Sequence, residues 1–331
     1  MKTIALVGPY NTKTREMLHA NVPEGFQMAD VPDYAEYGKL KEADYIIIRT
    51  IKLTKGDVKD CPNLKYVQKW GAGYDVIDIE GLGELGIPVG ICSGINSEPV
   101  AELAVMLMLS LYRWLIVHNE KLKKGIWTKD QYSSKSYMIQ GKTVGIIGLG
   151  NIGSKVARIV KGFGADVIYT DVIPKTKARD TLGIREVTLD ELLKTSDIVS
   201  IHVPLNDETR HMMNKEAFAK MKPSAIFINS ARGGLVDEDA LLEALQQGVI
   251  AGAGLDALPK EPPEPGWPFY AMENVVLTPH TGGNTADNDI NMIHRCMENI
   301  LTMDNGGKLR TLDLVNNQYL AVKLETEEND L

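Results

Sequence analysis

Residues 142–153 read K-T-V-G-I-I-G-L-G-N-I-G, and residues 154–171 continue S-K-V-A-R-I-V-K-G-F-G-A-D-V-I-Y-T-D. An apolar run (Val144, Ile146, Ile147) leads into Gly148-Leu149-Gly150-Asn151-Ile152-Gly153. Helical spacing follows, with Ile152, Val156, Ile159, Val160 and Phe163 on one side, and then a short apolar strand, Val167 to Tyr169, that ends at Asp171. Three spaced glycines alone carry little information. Placed between strand and helix, with an acid at the end of the next strand, they specify a dinucleotide-binding βαβ unit. Gly148 makes the turn out of the strand, Gly150 admits a pyrophosphate, and Gly153 lets the helix approach the sheet. The helix start offers N–H groups and about +0.5 of a charge to the phosphates. Asp171 can accept the ribose hydroxyls and would repel a 2′-phosphate. The next residues, Val172-Ile173-Pro174, bring no arginine, so the pattern predicts NAD over NADP.

The chain around this unit has 331 residues, long enough for two domains. Its net charge of −8 comes without a basic cluster, which argues against nucleic-acid or membrane-surface binding. Cys61, Cys92 and Cys296 are few, odd in number and widely spaced. That suits free thiols in a reducing cytoplasm and argues against a structural metal site. The apolar stretch at the N-terminus is too short for a leader, and the longest apolar run, Leu103 to Leu109, is too short to span a bilayer. Glu325 to Leu331 reads as a frayed acidic tail.

Strand and helix patterns alternate along the chain, the mark of an α/β protein with parallel sheets. Five strands are expected before residue 92: Thr3–Val7, Phe26–Ala29, Tyr45–Arg49, Tyr66–Lys69 and Pro88–Ile91. A long helix over Val100–Val117, apolar nearly all round, reads as a crossing element buried either in the core of its own domain or against a second subunit as a dimer face. Six further strands follow: Thr143–Gly148, Val167–Thr170, Ile198–Val203, Ala225–Asn229, Gly252–Asp256 and Val275–Thr278. They fit a Rossmann sheet of order 3-2-1-4-5-6. A helix over Asp287–Met303 returns the chain, and Leu314–Asn317 rejoins the first part. The expectation is two doubly wound domains, a Rossmann cofactor domain (99–289) inserted into a flavodoxin-like substrate domain (1–98 plus 290–331), with the site in the cleft between them.

Ligands of such sheets bind beyond the carboxyl ends of the strands. Reading those ends in turn gives Asn229-Ser230-Ala231-Arg232-Gly233-Gly234, then Asp256 followed by Lys260-Glu261-Pro262, then Thr278-Pro279-His280-Thr281-Gly282-Gly283. Hydride transfer at a hydroxyl carbon needs a proton acceptor, a carboxylate to orient it, and a cation for the substrate's own carboxylate. His280, Glu261 and Arg232 supply those three. His202, before Pro204, reads as lining the adenosine side, while His19, His118, His211 and His294 fall in helical stretches. In the first part, Ala72 and Gly73 sit in a glycine loop able to bind an anion, and Arg49, ending the third strand, is either a second anion contact or a surface charge.

Together these motifs closely resemble the D-isomer-specific 2-hydroxyacid dehydrogenases, from about Ala43 to Asn317. The likeness rests on the loop from Gly71 to Asp75, the segment from Gly141 to Gly153, His202 to Leu205, Asn229 to Asp237, Gly254 to Asp256, Lys260 to Pro262 and Thr278 to His280. The resemblance implies an NAD-dependent oxidoreductase acting on a small D-2-hydroxy acid, and a homodimer. It implies Arg232 as substrate anchor, His280 as acid/base with Glu261 as its partner, and Asp256 near the nicotinamide carboxamide. The expected cofactor contacts are Gly148, Gly150, Asn151, Ile152, Gly153, Asp171, His202, Pro204, Thr209, Ser230, Ala231, Asp256 and Gly282. Arg49 resembles an arginine that contacts phosphate in 3-phosphoglycerate dehydrogenases. The same fold also resembles NAD-sensing corepressors of the C-terminal-binding-protein type, which keep the triad, so a binding protein is the alternative.

Overall fold

The structure, a computed structural model, describes residues 1–327 and divides the chain into two compact units. Unit 1 comprises Met1–Asn96 and the segment from Asn284 onward; unit 2 is Ser97–Gly283. The expected boundaries at 98/99 and 289/290 lie just inside helices Ser97–Tyr112 and Ala286–Asp304, which belong whole to units 2 and 1.

Unit 1 is built on five parallel strands: β1 (Lys2–Val7), β2 (Phe26–Val31), β3 (Tyr45–Ile48), β4 (Tyr66–Lys69) and β5 (Val89–Gly90). Their order is β2-β1-β3-β4-β5, the flavodoxin-type winding. Successive side chains leave on opposite faces of a strand and both faces are covered. Ile4, Leu6, Tyr45 and Ile47 therefore pack with Leu18, Met292, Ile293 and Ile300. Ala5, Val7, Ile46 and Ile48 pack with Leu40, Leu53 and Leu82 on the other side. The chain end rejoins β5 as expected: Val315 N donates to Val89 O at 3.0 Å, and Asn316 Oδ1 accepts from Val89 N at 2.8 Å. Asn316 Nδ2 donates to Ile87 O at 2.9 Å. The acidic tail is described only to Glu327, where Thr326–Glu327 pairs with Leu309–Arg310; the rest of that expected tail lies outside the described residues.

Unit 2 holds β6 (Thr143–Ile147), β7 (Asp166–Thr170), β8 (Arg185–Glu186), β9 (Ile198–Ile201), β10 (Ile226–Asn229), β11 (Gly252–Leu255) and β12 (Val275–Leu277). The sheet runs β12-β11-β10-β9-β6-β7-β8, all parallel. The reading of six strands thus misses β8, an exposed two-residue edge strand. Counting it makes Ile198–Ile201 the fourth strand, paired with β6 opposite β7. The 3-2-1-4-5-6 order then holds with one strand added beyond it. Ile146 and Ile147 face opposite apolar layers, one formed with helices Ser97–Tyr112 and Asn151–Gly162.

The helix expected over Val100–Val117 stops at Tyr112. Trp114 takes a left-handed φ of 50°, and the chain restarts as helix Leu115–Lys123 at a 63° bend. The Trp114 ring lies against Tyr132, and its Nε1 donates to Lys135 O at 3.1 Å. Most of the first helix is buried within its own unit. His211 also departs from the helical reading, in a turn with a φ of 52°. No single helix among the described residues is long and apolar enough to cross a membrane.

Candidate active site

The glycine loop leaves β6 at Gly148, whose φ of 91° lies in the left-handed region. A Cβ there would sit 2.7 Å from Val203 Cγ1 and 2.9 Å from His202 O, so neighbouring β9 excludes any side chain. A Cβ at Gly153 would stand 2.0 Å from the Gly148 carbonyl oxygen, which is why helix and strand can meet there. Gly150 caps helix Asn151–Gly162 without a side chain, and a Cβ on it would point into open space. Asp171, just past β7, reaches back to this loop. Its Oδ2 accepts from Leu149 N at 2.8 Å and its Oδ1 from Ile173 N at 2.9 Å. Gly148, Gly150, Asn151, Ile152, Gly153 and Asp171 are therefore drawn together at one end of the sheet.

Next along the sheet, the end of β9 carries His202. Its Nε2 lies 2.8 Å from Ser200 Oγ, while Nδ1 is shut off from solvent with no hydrogen-bond partner among the described residues. Burial lowers its pKa to about 3, so the ring is neutral at physiological pH. Pro204 and Thr209 close the following loop, with Thr209 Oγ1 donating to Pro204 O at 2.7 Å. At the end of β10, Ser230 is buried and its Oγ likewise lacks a partner. Buried polar atoms are nearly always satisfied, so two orphans at adjacent strand ends mark places for a polar ligand. An uncapped helix start, an acid at the β7 end and these two orphans fit a dinucleotide.

Three chemical groups assemble on neighbouring loops of the same unit. Asn229, 1% exposed, shapes the first loop: its Oδ1 accepts from Ala231 N at 3.0 Å and its Nδ2 donates to Arg232 O at 2.9 Å. Arg232 Nη1 donates to Ala231 O at 2.7 Å. Gly233 lets this loop press on the next, since a Cβ there would fall 2.1 Å from Leu258 C. In that second loop, Leu258 N donates to Glu261 Oε1 at 2.9 Å. The third loop brings His280 Nδ1 to 2.8 and 3.0 Å from the two Glu261 oxygens. Burial pushes the Glu261 carboxyl up. The His280 bond, the Leu258 N–H and the charges of His280 and Arg232 outweigh it and hold the carboxyl below its ordinary range. An ionised carboxylate only accepts, so Nδ1 of His280 carries the proton and Nε2 is the atom that can exchange one.

Asp256 underlies the His280 turn. It is 1% exposed and accepts from Thr278 Oγ1 at 2.6 Å, Thr281 N at 2.8 Å and Gly282 N at 3.0 Å. Asn229, Gly233 and Thr278 lie in the strand-end motifs of the sequence but are given no role there. An asparagine ending a strand before a loop is a usable signal for the first. The other two act through tertiary contacts that no spacing reveals. Arg49, Ala72 and Gly73 belong to unit 1. There Arg49 Nη2 donates to Asn284 Oδ1 at 3.1 Å and its guanidinium lies 5.6 Å from the Tyr10 ring centroid. Cys92 N donates to Gly71 O at 2.9 Å beside Ala72 and Gly73.

Comparison with known proteins bears on these loops directly. Residues 105–282 match the family model of the D-isomer specific 2-hydroxyacid dehydrogenase, NAD binding domain. The hydroxypyruvate reductase of Thermotoga maritima is 40% identical over 251 residues, covering 75% of this chain and 80% of that protein. The D-3-phosphoglycerate dehydrogenase of Methanocaldococcus jannaschii is 40% identical over 252 residues, 75% of this chain; the match spans only 47% of that longer relative. Among solved structures, D-lactate dehydrogenase from Aquifex aeolicus, complexed with NAD and lactic acid, aligns with a TM-score of 0.81. The identity is 28%, over 92% of this chain and 96% of that one. The chain belongs to the D-isomer specific 2-hydroxyacid dehydrogenase family.

Proposed function

We propose that the protein interconverts a small D-2-hydroxy acid and its 2-oxo acid, with NAD as cofactor and His280 as acid/base. NAD, when bound, accepts or returns the hydride. The observation that carries this reading is the grip of both Glu261 oxygens on His280 Nδ1. That grip fixes the tautomer and leaves Nε2 to take the hydroxyl proton in oxidation and to give it back in reduction. Glu261 stabilises the imidazolium while the proton is on the ring. Arg232, always charged, holds the substrate carboxylate and polarises the adjacent carbonyl. The loop Gly148–Gly153 would take the pyrophosphate, and Asp171 the adenosine ribose, which favours NAD over NADP. His202, Pro204, Thr209, Ser230, Ala231, Asp256 and Gly282 line the remainder of the cofactor's path. In unit 1, Ala72, Gly73 and Arg49 are proposed as substrate contacts.

The named relatives act on hydroxypyruvate, 3-phosphoglycerate and D-lactate, which supports a small 2-hydroxy or 2-oxo acid as the substrate of this chain. Exposed Leu115, Ile116, Leu122, Ile126, Trp127 and Met138 crowd one stretch of unit 2 and support a homodimer. Three buried free thiols suit a cytoplasmic setting.

The test follows NADH absorbance with a panel of 2-oxo acids. His280→Asn should lower kcat by about a thousandfold while NADH affinity moves less than about twofold. Near-normal turnover in that variant would overturn the assignment. Tight NADH binding with turnover of no acid would make the wild-type protein a sensor rather than an enzyme.

A further inference from the structure

His280 reaches Glu261 from a backbone conformation that side chains with a Cβ rarely adopt. Its φ is 52° and it has no glycine's freedom there. Something must hold the turn in place. The bonds converge on one residue. His280 N donates to Asp256 O at 2.9 Å, Thr281 N to Asp256 Oδ1 at 2.8 Å, and Gly282 N to Asp256 Oδ2 at 3.0 Å. Thr278 Oγ1 adds the shortest bond, 2.6 Å to Asp256 Oδ1. Asp256 is in turn fixed to the sheet, because its N donates to Asn229 O at 2.9 Å.

The Asp256 carboxylate is almost fully buried, and the hydrogen bonds it accepts come from uncharged donors. The donors that satisfy it are the turn's own N–H groups and the Thr278 hydroxyl. If the turn relaxed to an ordinary conformation, those N–H groups would swing away and leave a buried charge unsatisfied. The strained turn and the buried carboxylate therefore enforce one another. Gly282 permits the approach: a Cβ on it would lie 2.9 Å from Asp256 Oδ2.

We infer that Thr278 and Asp256 are positioning residues for the acid/base step, a clasp that locks His280 in its left-handed turn so that the ring stays seated on Glu261. The inference rests on the reading of His280 as acid/base. Neither residue needs to touch the substrate for this role. Thr278 completes the carboxylate's coordination and stiffens the entry to the turn.

The experiment measures steady-state kinetics with the best 2-oxo acid of the panel, together with NADH binding by fluorescence, for Thr278→Val, Thr278→Ser and Asp256→Asn. Thr278→Val should lower kcat about tenfold, with KM for the acid and Kd for NADH changing less than about twofold. Thr278→Ser, which keeps the hydroxyl, should restore kcat. Asp256→Asn sets an amide NH₂ against one of the two N–H donors and should lower kcat further; because Asp256 also lines the cofactor's path, the split between kcat and NADH affinity is read from the Thr278 variants. Should Thr278→Val fail to fold, the serine and asparagine variants still decide. A kcat within about twofold of wild type in Asp256→Asn overturns the clasp. So does a loss in Thr278→Val that serine does not restore, or one that falls equally on NADH affinity. Turnover surviving in His280→Asn would instead remove the acid/base reading beneath it, and the two failures are separate.

Discussion

Two strand ends in this protein look alike and do different work. β1 ends in Gly8-Pro9-Tyr10-Asn11, and β6 in Gly148-Leu149-Gly150-Asn151. Both open on a glycine of positive φ, 105° and 91°, and both feed a helix. After β1 the helix is capped by its own chain: Asn11 Oδ1 accepts from Thr14 N at 2.9 Å. After β6 the cap is Gly150, which has no side chain to offer. A Cβ at Gly8 would meet Ile51 at an ordinary 3.5 Å, whereas at Gly148 it would collide with β9. The first loop caps its own helix; the second gives its helix no side-chain cap, and is the place proposed for the pyrophosphate. Whether a strand end becomes a binding site turns on what the cap residue withholds.

Substitutions can break that contrast from either side. The largest effect is expected for Gly153→Ala, whose Cβ would fall 2.0 Å from the Gly148 carbonyl oxygen. The helix must move off the strand, costing about 3 kcal/mol and most NADH affinity. Thermal melting and NADH titration would check both, and a variant that melts and binds as wild type would refute the close-packing argument. Asp171→Ala should come next, shifting the NADPH-to-NADH preference by about 10- to 100-fold, or roughly 1.4 to 2.7 kcal/mol. An unmoved ratio of the two Kd values would separate Asp171 from cofactor choice and leave it its bonds to Leu149 N and Ile173 N. The smallest effect belongs to Asn11→Ala, which should lower stability by about 1 kcal/mol and leave NADH affinity alone. A change in NADH binding there would mean that the β1 loop does more than cap its own helix.

Much of the fold could be seen in the sequence because most buried strands are apolar runs, and the proposed site is read from their ends. Most strands of both units announce themselves by such runs, β2 and β4 less cleanly because they carry Gln27, Asp30, Gln68 and Lys69, and the proposed Arg232, Glu261 and His280 are read from the segments that follow. β8 does not, because Arg185 and Glu186 are charged, exposed and too short to carry a period. The break at Trp114 is equally silent, since neither glycine nor proline marks it. It follows from Trp114 seating on Tyr132 and bonding Lys135 O. The clasp beneath His280 is hidden because most of its donors are backbone N–H groups, which every residue but proline possesses. The spread of cysteines along the chain also gave no hint that Cys92 and Cys296 meet in the core of unit 1, with their sulfurs 3.6 Å apart.

The return of the chain end to β5 has a consequence for how the protein is made. Unit 2 is one continuous segment and has all its strands once Gly283 has emerged from the ribosome. Unit 1 is not complete at that point. Its β1–β5 sheet is synthesised before unit 2, yet Ile4, Tyr45, Ile47 and Tyr66 stay only partly covered until Met292, Ile293 and Ile300 arrive on helix Ala286–Asp304. The edge at β5 stays unlatched until Asn316 follows. Unit 1, begun before unit 2, is thus finished after it, and its partly open apolar face is exposed to aggregation in the interval.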